Sequence, residues 1–211
     1  MHVSTYAIRE GIILDLAGLL EHHDIRNDTV NRMMQQYHVD TDQVRRVGSL
    51  AGNLITQVKD DFGQHYQRAR QLLLWAVDLH EIGLSVSHAS HNKHSAYLLQ
   101  NSVMHGFSRQ EQKQLGFLVL NHRRRLRPMS KTYGFSPDWR LVQILRLACL
   151  FGRRRDDAAI PPDIGFKFKG DALYVRLSPA WLEEHPLTAE SLVTEQVYQQ
   201  EQGLTLKLDL E

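Results

Sequence analysis

Residues 72–99 read LLLWAVDLHEIGLSVSHASHNKHSAYLL, two apolar helical runs flanking His80, Glu81, His88, His91 and His94. In the first run Leu72, Leu73, Trp75, Ala76, Leu79 and Ile82 recur at helical spacing, so one face is buried and the His80-Glu81 pair falls at the helix's C-terminal end. Gly83 supplies the stop. His91 and His94 are three apart and share a face of the next helix, which continues through Ala96, Tyr97, Leu98 and Leu99. Several imidazoles therefore gather near an acidic side chain, and any functional site in this chain starts here.

Outward from this stretch the pattern stays helical. Residues 4–20 place Ile8, Ile12, Ile13, Leu16, Leu19 and Leu20 at helical period, and a short helix is expected over Asp28–Tyr37. Asp40 with Gln43 resembles a capping box that opens a helix ending near Gly63. Ser108 with Glu111 forms a clearer box before Leu115, Leu118, Val119, His122 and Leu126. Ser136, Pro137 and Asp138 start an apolar-rich helix from Trp139 to Gly152. The run AAIPP at 158–162 then breaks the pattern and marks a boundary. Beyond it Ile164, Phe166, Phe168 and Leu173, Val175, Leu177 alternate with polar residues around Gly170-Asp171, as in a hairpin. A helical segment over about 180–202 precedes a third strand at Leu204, Leu206, Leu208 and Leu210. The expected architecture is a mainly α body followed by a small α+β part with a short antiparallel sheet.

The composition bounds the class. The 211 residues are 42% hydrophobic and 23% charged, with no apolar run near the roughly 20 residues that span a bilayer. The start, MHVSTYAIREG, lacks the basic opening and apolar middle of a secretory signal, and one cysteine, Cys149, cannot form an internal disulfide; a reducing cytoplasm is expected. No membrane partner is expected. Net charge is only +1, so attraction for a polyanion has to come from local clustering. The 13 glycines are scattered, with no dinucleotide-binding or P-loop pattern.

The segments LHEIGLSVSHASHNKHSAYLLQN (79–101), GFSRQEQ (106–112), VLNHRRR (119–125) and LRLACLFGRRR (145–155), with IREGIILDL (8–16), DIRNDTV (24–30) and YHVDTDQVRRV (37–47), resemble the C-terminal half of the Ppx/GppA phosphatases. These are exopolyphosphatases and guanosine pentaphosphate phosphohydrolases. The resemblance implies that residues 1–20 are the tail of an actin-like phosphatase domain, 21–158 a helical domain like that of the HD phosphohydrolases, and 159–211 a small α+β domain. It implies that hydrolysis, with magnesium, belongs to a catalytic half absent from this chain. The resemblance implies that the chain is the non-catalytic region of an exopolyphosphatase, binding inorganic polyphosphate and forming a homodimer; the alternatives are the same region of a guanosine pentaphosphate (pppGpp) phosphohydrolase, an autonomous metal-dependent HD-type phosphohydrolase, or a purely structural dimerisation module.

An HD phosphohydrolase holds its metal with an early His, the His-Asp pair and a distant Asp, whose lone pairs converge on one ion. Here the pair is His80-Glu81, residues 40–64 contain no histidine, and the distant position falls in Leu147-Ala148-Cys149. His80 and Glu81 thus read as a degenerate pair that could bond each other at a helix end, and no catalytic residue, metal or cofactor is assigned to this chain. His91, His94 and His122 could alternatively form a smaller imidazole site.

Two arginine triplets end consecutive helices: Arg123, Arg124, Arg125, with Arg127 and Lys131 beyond, and Arg153, Arg154, Arg155. In a last turn they could merely complement the helix dipole. Alternatively their guanidinium forks hold phosphate oxygens, with Lys93, His94 and His122 assisting. If the two helices are antiparallel neighbours, the triplets lie at opposite ends and one patch requires the 127–136 loop to fold back. No aromatics interleave the arginines, so nucleic acid is not expected as a partner.

Overall fold

A computed structural model describes residues 24–128 and 134–210; the expected helix at 4–20, and Lys131, lie outside them. The first helices are α1 (Ile25–Gln36), α2 (Thr41–Gln57) and α3 (Tyr66–Leu79). The chain starts α1 three residues earlier than its apolar pattern suggests, because Asp24 caps it by accepting from the Arg26 amide at 3.0 Å. Asp40 caps α2 through the amides of Asp42 and Gln43, both at 3.0 Å. Gln43 does not complete a box. Its side chain turns inward, donating to Gly152 O at 3.0 Å and accepting from Arg46 Nη1 at 2.7 Å. Instead of continuing to Gly63, α2 gives way to two short 3-10 turns, Lys59–Asp61 and Gly63–His65.

Next come α4 (His91–Asn101), α5 (Arg109–Asn121) and α6 (Trp139–Gly152). The Ser108–Glu111 box is fully formed, with Glu111 N donating to Ser108 Oγ at 3.2 Å and Ser108 N donating to Glu111 Oε2 at 2.9 Å. Asp138 rather than Pro137 sits at the start of α6, accepting from the Arg140 amide at 3.0 Å. Every residue from Leu141 to Ala148 is buried, so α6 is a central helix and packs on α2, α3 and α5.

The C-terminal part comprises β1 (Gly165–Lys169), β2 (Ala172–Arg176), α7 (Pro179–Glu184), α8 (Pro186–Gln200) and β3 (Thr205–Asp209). The expected single helix is split at Pro186, which has no N–H to continue α7 and opens α8 instead. The hairpin is antiparallel, with Phe168 opposite Leu173. The third strand corrects the all-antiparallel expectation: β3 pairs parallel to β2, Leu173 beside Leu206, making the sheet mixed in the order β1-β2-β3. Helices α7 and α8 return the chain to the end where β2 began, and a strand entered by such a crossover runs parallel. Among the described residues no helix is long and apolar enough to cross a membrane.

Candidate functional site

Gly83 sets the site's geometry. A side chain there would collide with the backbone of His91 and Ser95, so only glycine lets the turn after α3 press against the first turn of α4. Ser95 Oγ locks this approach, accepting from Gly83 N at 2.8 Å and donating to His80 O at 2.9 Å. His80 and His91 are thereby brought to one wall, and His122, just past α5, completes it: its ring lies 5.2 Å from that of His80 and 5.3 Å from that of His91.

The three imidazoles are buried and neutral. Nδ1 of His80 donates to Val77 O and Nδ1 of His122 to Val119 O, each at 2.6 Å. A carbonyl can only accept, so both rings keep their lone pair on Nε2. Desolvation lowers the pKa of His80 and holds His122 well below the ordinary value. Burial, reinforced by the Arg123 charge, lowers His91 to about 4. His91 Nε2 accepts from Arg123 Nη1, which leaves the proton on Nδ1. That buried N–H meets no acceptor among the described residues.

The arginines share a cavity with this wall. A cavity of about 460 Å³ is lined by the three histidines, Glu81, Cys149, Arg123, Arg124, Arg153 and Arg155, and by Ser191, Thr194, Glu195 and Tyr198 of α8. Both triplets therefore send residues to one cavity, Arg123 and Arg124 from the turn after α5 and Arg153 and Arg155 from the turn after α6. Five guanidiniums, Arg146 included, face two carboxylates, a surplus of three positive charges beside neutral imidazoles. Arg124 and Arg155 have left-handed backbones, φ 61° and 55°, where glycine is the usual residue.

Other expected residues lie elsewhere. Arg125 is exposed and pairs with Glu201 at 3.4 Å. Arg127 is exposed, its amide bonded to Asn121 Oδ1 at 2.6 Å. Arg154 and Lys93 are exposed, and His94 is half-buried; none of the three lines the cavity. On α4 the inward face is His91, Ser95 and Leu99, and His94 falls to its side.

The degenerate pair is not bonded within itself: His80 Nε2 and Glu81 Oε1 are 4.0 Å apart. Arg155 Nη2 instead lies 2.8 Å from both Glu81 oxygens, and its Nη1 2.5 Å from Asp40 Oδ2. Guanidiniums thus sit on lone pairs of His91 and Glu81, and among the described residues no three His, Cys, Asp or Glu side chains are placed to hold a metal ion. Burial pushes the Cys149 thiol up, away from thiolate chemistry.

The residue that sequence reasoning missed is Arg146. Its side chain is 1% exposed and is clamped on Glu195 of α8, Nε to Oε1 at 2.5 Å and Nη2 to Oε2 at 2.6 Å. It also donates to Asn121 O at 2.5 Å and Arg124 O at 2.8 Å, fixing the turn that presents Arg123 and Arg124. The signal was present: a lone charge inside the apolar run LRLACLFG has to be paired if that helix is buried.

The mainly helical body turns arginines from two helix ends into one cavity. The profile described as "Ppx/GppA phosphatase, domain III" matches residues 25–196, and the chain belongs to the Ppx/GppA phosphatase family. Among curated relatives it is similar to the guanosine-5'-triphosphate,3'-diphosphate pyrophosphatase of Pseudoalteromonas translucida, 34% identical over 206 residues. The protein of the same name from Vibrio cholerae serotype O1 is 32% identical over 205 residues. These alignments cover 95% and 96% of this chain and 41% of each relative, so the chain spans about two fifths of their length.

Proposed function

We propose that this chain is the C-terminal region of a guanosine pentaphosphate phosphohydrolase and that its cavity holds phosphate groups of the nucleotide. The relatives' names favour this substrate over the polyphosphate expected from the sequence. The observation that carries the binding role is the convergence of Arg123, Arg124, Arg153 and Arg155 on one cavity. Phosphate oxygens supply several acceptors and neutralise the charge surplus. In this reading, attack of water on the terminal phosphate, with magnesium, belongs to the length of the relatives that this chain does not span. The chain works in the cytoplasm as one half of a homodimer, which sedimentation of the purified protein checks.

Calorimetric titration with guanosine-5'-triphosphate,3'-diphosphate tests the reading. A charged hydrogen bond is worth about 1.5–3 kcal/mol, so Arg123→Ala combined with Arg124→Ala should weaken binding by at least roughly tenfold. Unchanged affinity removes the arginine argument. Linear polyphosphate is the second reading, favoured by exposed Arg125, Arg127 and Arg154, which lie beside the cavity arginines in sequence. A long phosphate chain would lose affinity on Arg154→Ala; a nucleotide would not.

A further inference from the structure

The cavity already contains an anion. The Glu81 side chain is 12% exposed, and its two oxygens sit on Arg155 Nη2. Its other neighbour at the pair distance, His80 Nε2, is 4.0 Å away and carries a lone pair, because the proton of that ring is on Nδ1. His80 therefore gives the carboxylate no hydrogen bond, and among the described residues Arg155 is the only donor Glu81 has. Arg155 is not equally dependent on Glu81. Its second nitrogen is tied to Asp40 at the start of α2, so the guanidinium stays over the cavity even when Nη2 changes partner.

On this geometry, and resting on the reading of the cavity as a phosphate site, we infer that Glu81 is a resident counter-ion that holds Arg155 in the ligand-free protein and is displaced when a phosphate enters. Glu81 would then set the affinity threshold of the cavity. A phosphate group reaching Arg155 has to replace the carboxylate there and overcome its negative charge. Groups with two adjacent phosphates do this best, because the second phosphate reaches Arg123 or Arg124 while the first exchanges with Glu81. The cavity thereby selects diphosphate and triphosphate ends over orthophosphate. No bond is made or broken in the exchange; only the partner of Arg155 changes.

Inorganic pyrophosphate is the probe, titrated calorimetrically into the 211-residue chain at low ionic strength. Glu81→Gln keeps the size of the side chain and one acceptor for Arg155 but removes the charge. Two unit charges a few ångströms apart in a partly buried setting interact strongly enough that pyrophosphate should bind about tenfold tighter. Asp171→Asn in the exposed β1–β2 turn changes net charge by the same amount and should leave affinity unchanged. Glu81→Ala should also bind more tightly than the unaltered chain, which covers the case in which Glu81→Gln fails to fold. Binding by the unaltered chain with no gain, or a loss, in a folded Glu81 variant overturns the counter-ion and leaves the phosphate site standing. Absence of binding by every variant sinks both together. An equal gain from Asp171→Asn also overturns the inference, since net charge alone would explain it.

Discussion

The turns after α5 and α6 contain the same three letters, yet the fold treats them differently. After α6, Arg153 is braced on α8 through Ser191 Oγ at 2.6 Å and Leu187 O at 2.8 Å, and Arg155 on Asp40 and Glu81. After α5, among the described residues Arg123 has only the neutral His91 as a hydrogen-bond partner and no carboxylate pairs with Arg124. Each turn sends two arginines to the cavity and one outward, and each spends a left-handed backbone on an arginine. The braced turn joins the helical body to the C-terminal part, whereas the unbraced one leaves its charges to a ligand.

The largest effect should come from removing what supports the unbraced turn. Arg146→Ala takes away the donors to Asn121 O and Arg124 O and leaves Glu195 buried without its partner. Breaking one member of a buried pair costs about 3–5 kcal/mol, measurable by urea denaturation. If the comparison holds, Arg146→Met with Glu195→Leu recovers much of that stability but not phosphate binding, because the turn is still released. Recovery of both would show that the turn holds its shape without Arg146.

Acid should separate the turns next. His80, His91 and His122 are kept neutral, so the unfolded chain takes up their protons from pH 6.5 downward while the folded chain does not. Stability present above pH 6.5 is lost as pH falls toward 4, by up to about 1.4 kcal/mol per pH unit for each histidine. Asp78 partly offsets this. Burial raises its pKa to about 6, so its penalty at neutral pH disappears as pH falls toward 3.8. Protonation of His91 also ends its acceptance from Arg123, whereas Asp40, lowered by backbone hydrogen bonds and by Arg155, stays charged on the braced turn. Denaturation midpoints between pH 7.5 and 4.5 should fall, more steeply in Asp78→Asn. A flat profile would mean that the histidine wall admits water.

What the sequence revealed followed how local each feature is. The Ser108–Glu111 box and the Asp40 cap are decided within four residues, and both form. The direction of β3 depends on where α7 and α8 deliver the chain, which no alternation of leucines encodes. The meeting of the two triplets at one cavity depends on where the turns after α5 and α6 come to lie, whereas helices assumed to be antiparallel neighbours place them apart. His91 was legible as part of a histidine cluster, but its pairing with Arg123 arises only from the close approach at Gly83.

The smallest effect isolates the unbraced turn most cleanly. At φ 61° Arg124 holds a conformation that costs an ordinary residue about 1–2 kcal/mol and glycine almost nothing. Its carbonyl, not its side chain, serves Arg146, so Arg124→Gly keeps that contact. Glycine gives back part of the gain through the entropy of the unfolded chain, and the net stabilisation should be about 0.5–1 kcal/mol, read as a higher urea midpoint with an unchanged slope. The same substitution should weaken pyrophosphate binding several-fold. The opposite signs are the test. A protein that is more stable and binds less well has been holding strain at Arg124 for a ligand, whereas unchanged binding would make that arginine a cap residue that glycine serves better. Arg155→Gly relieves the same backbone strain but severs contacts to Asp40 and Glu81, so it should not stabilise; if it does, the two turns are alike.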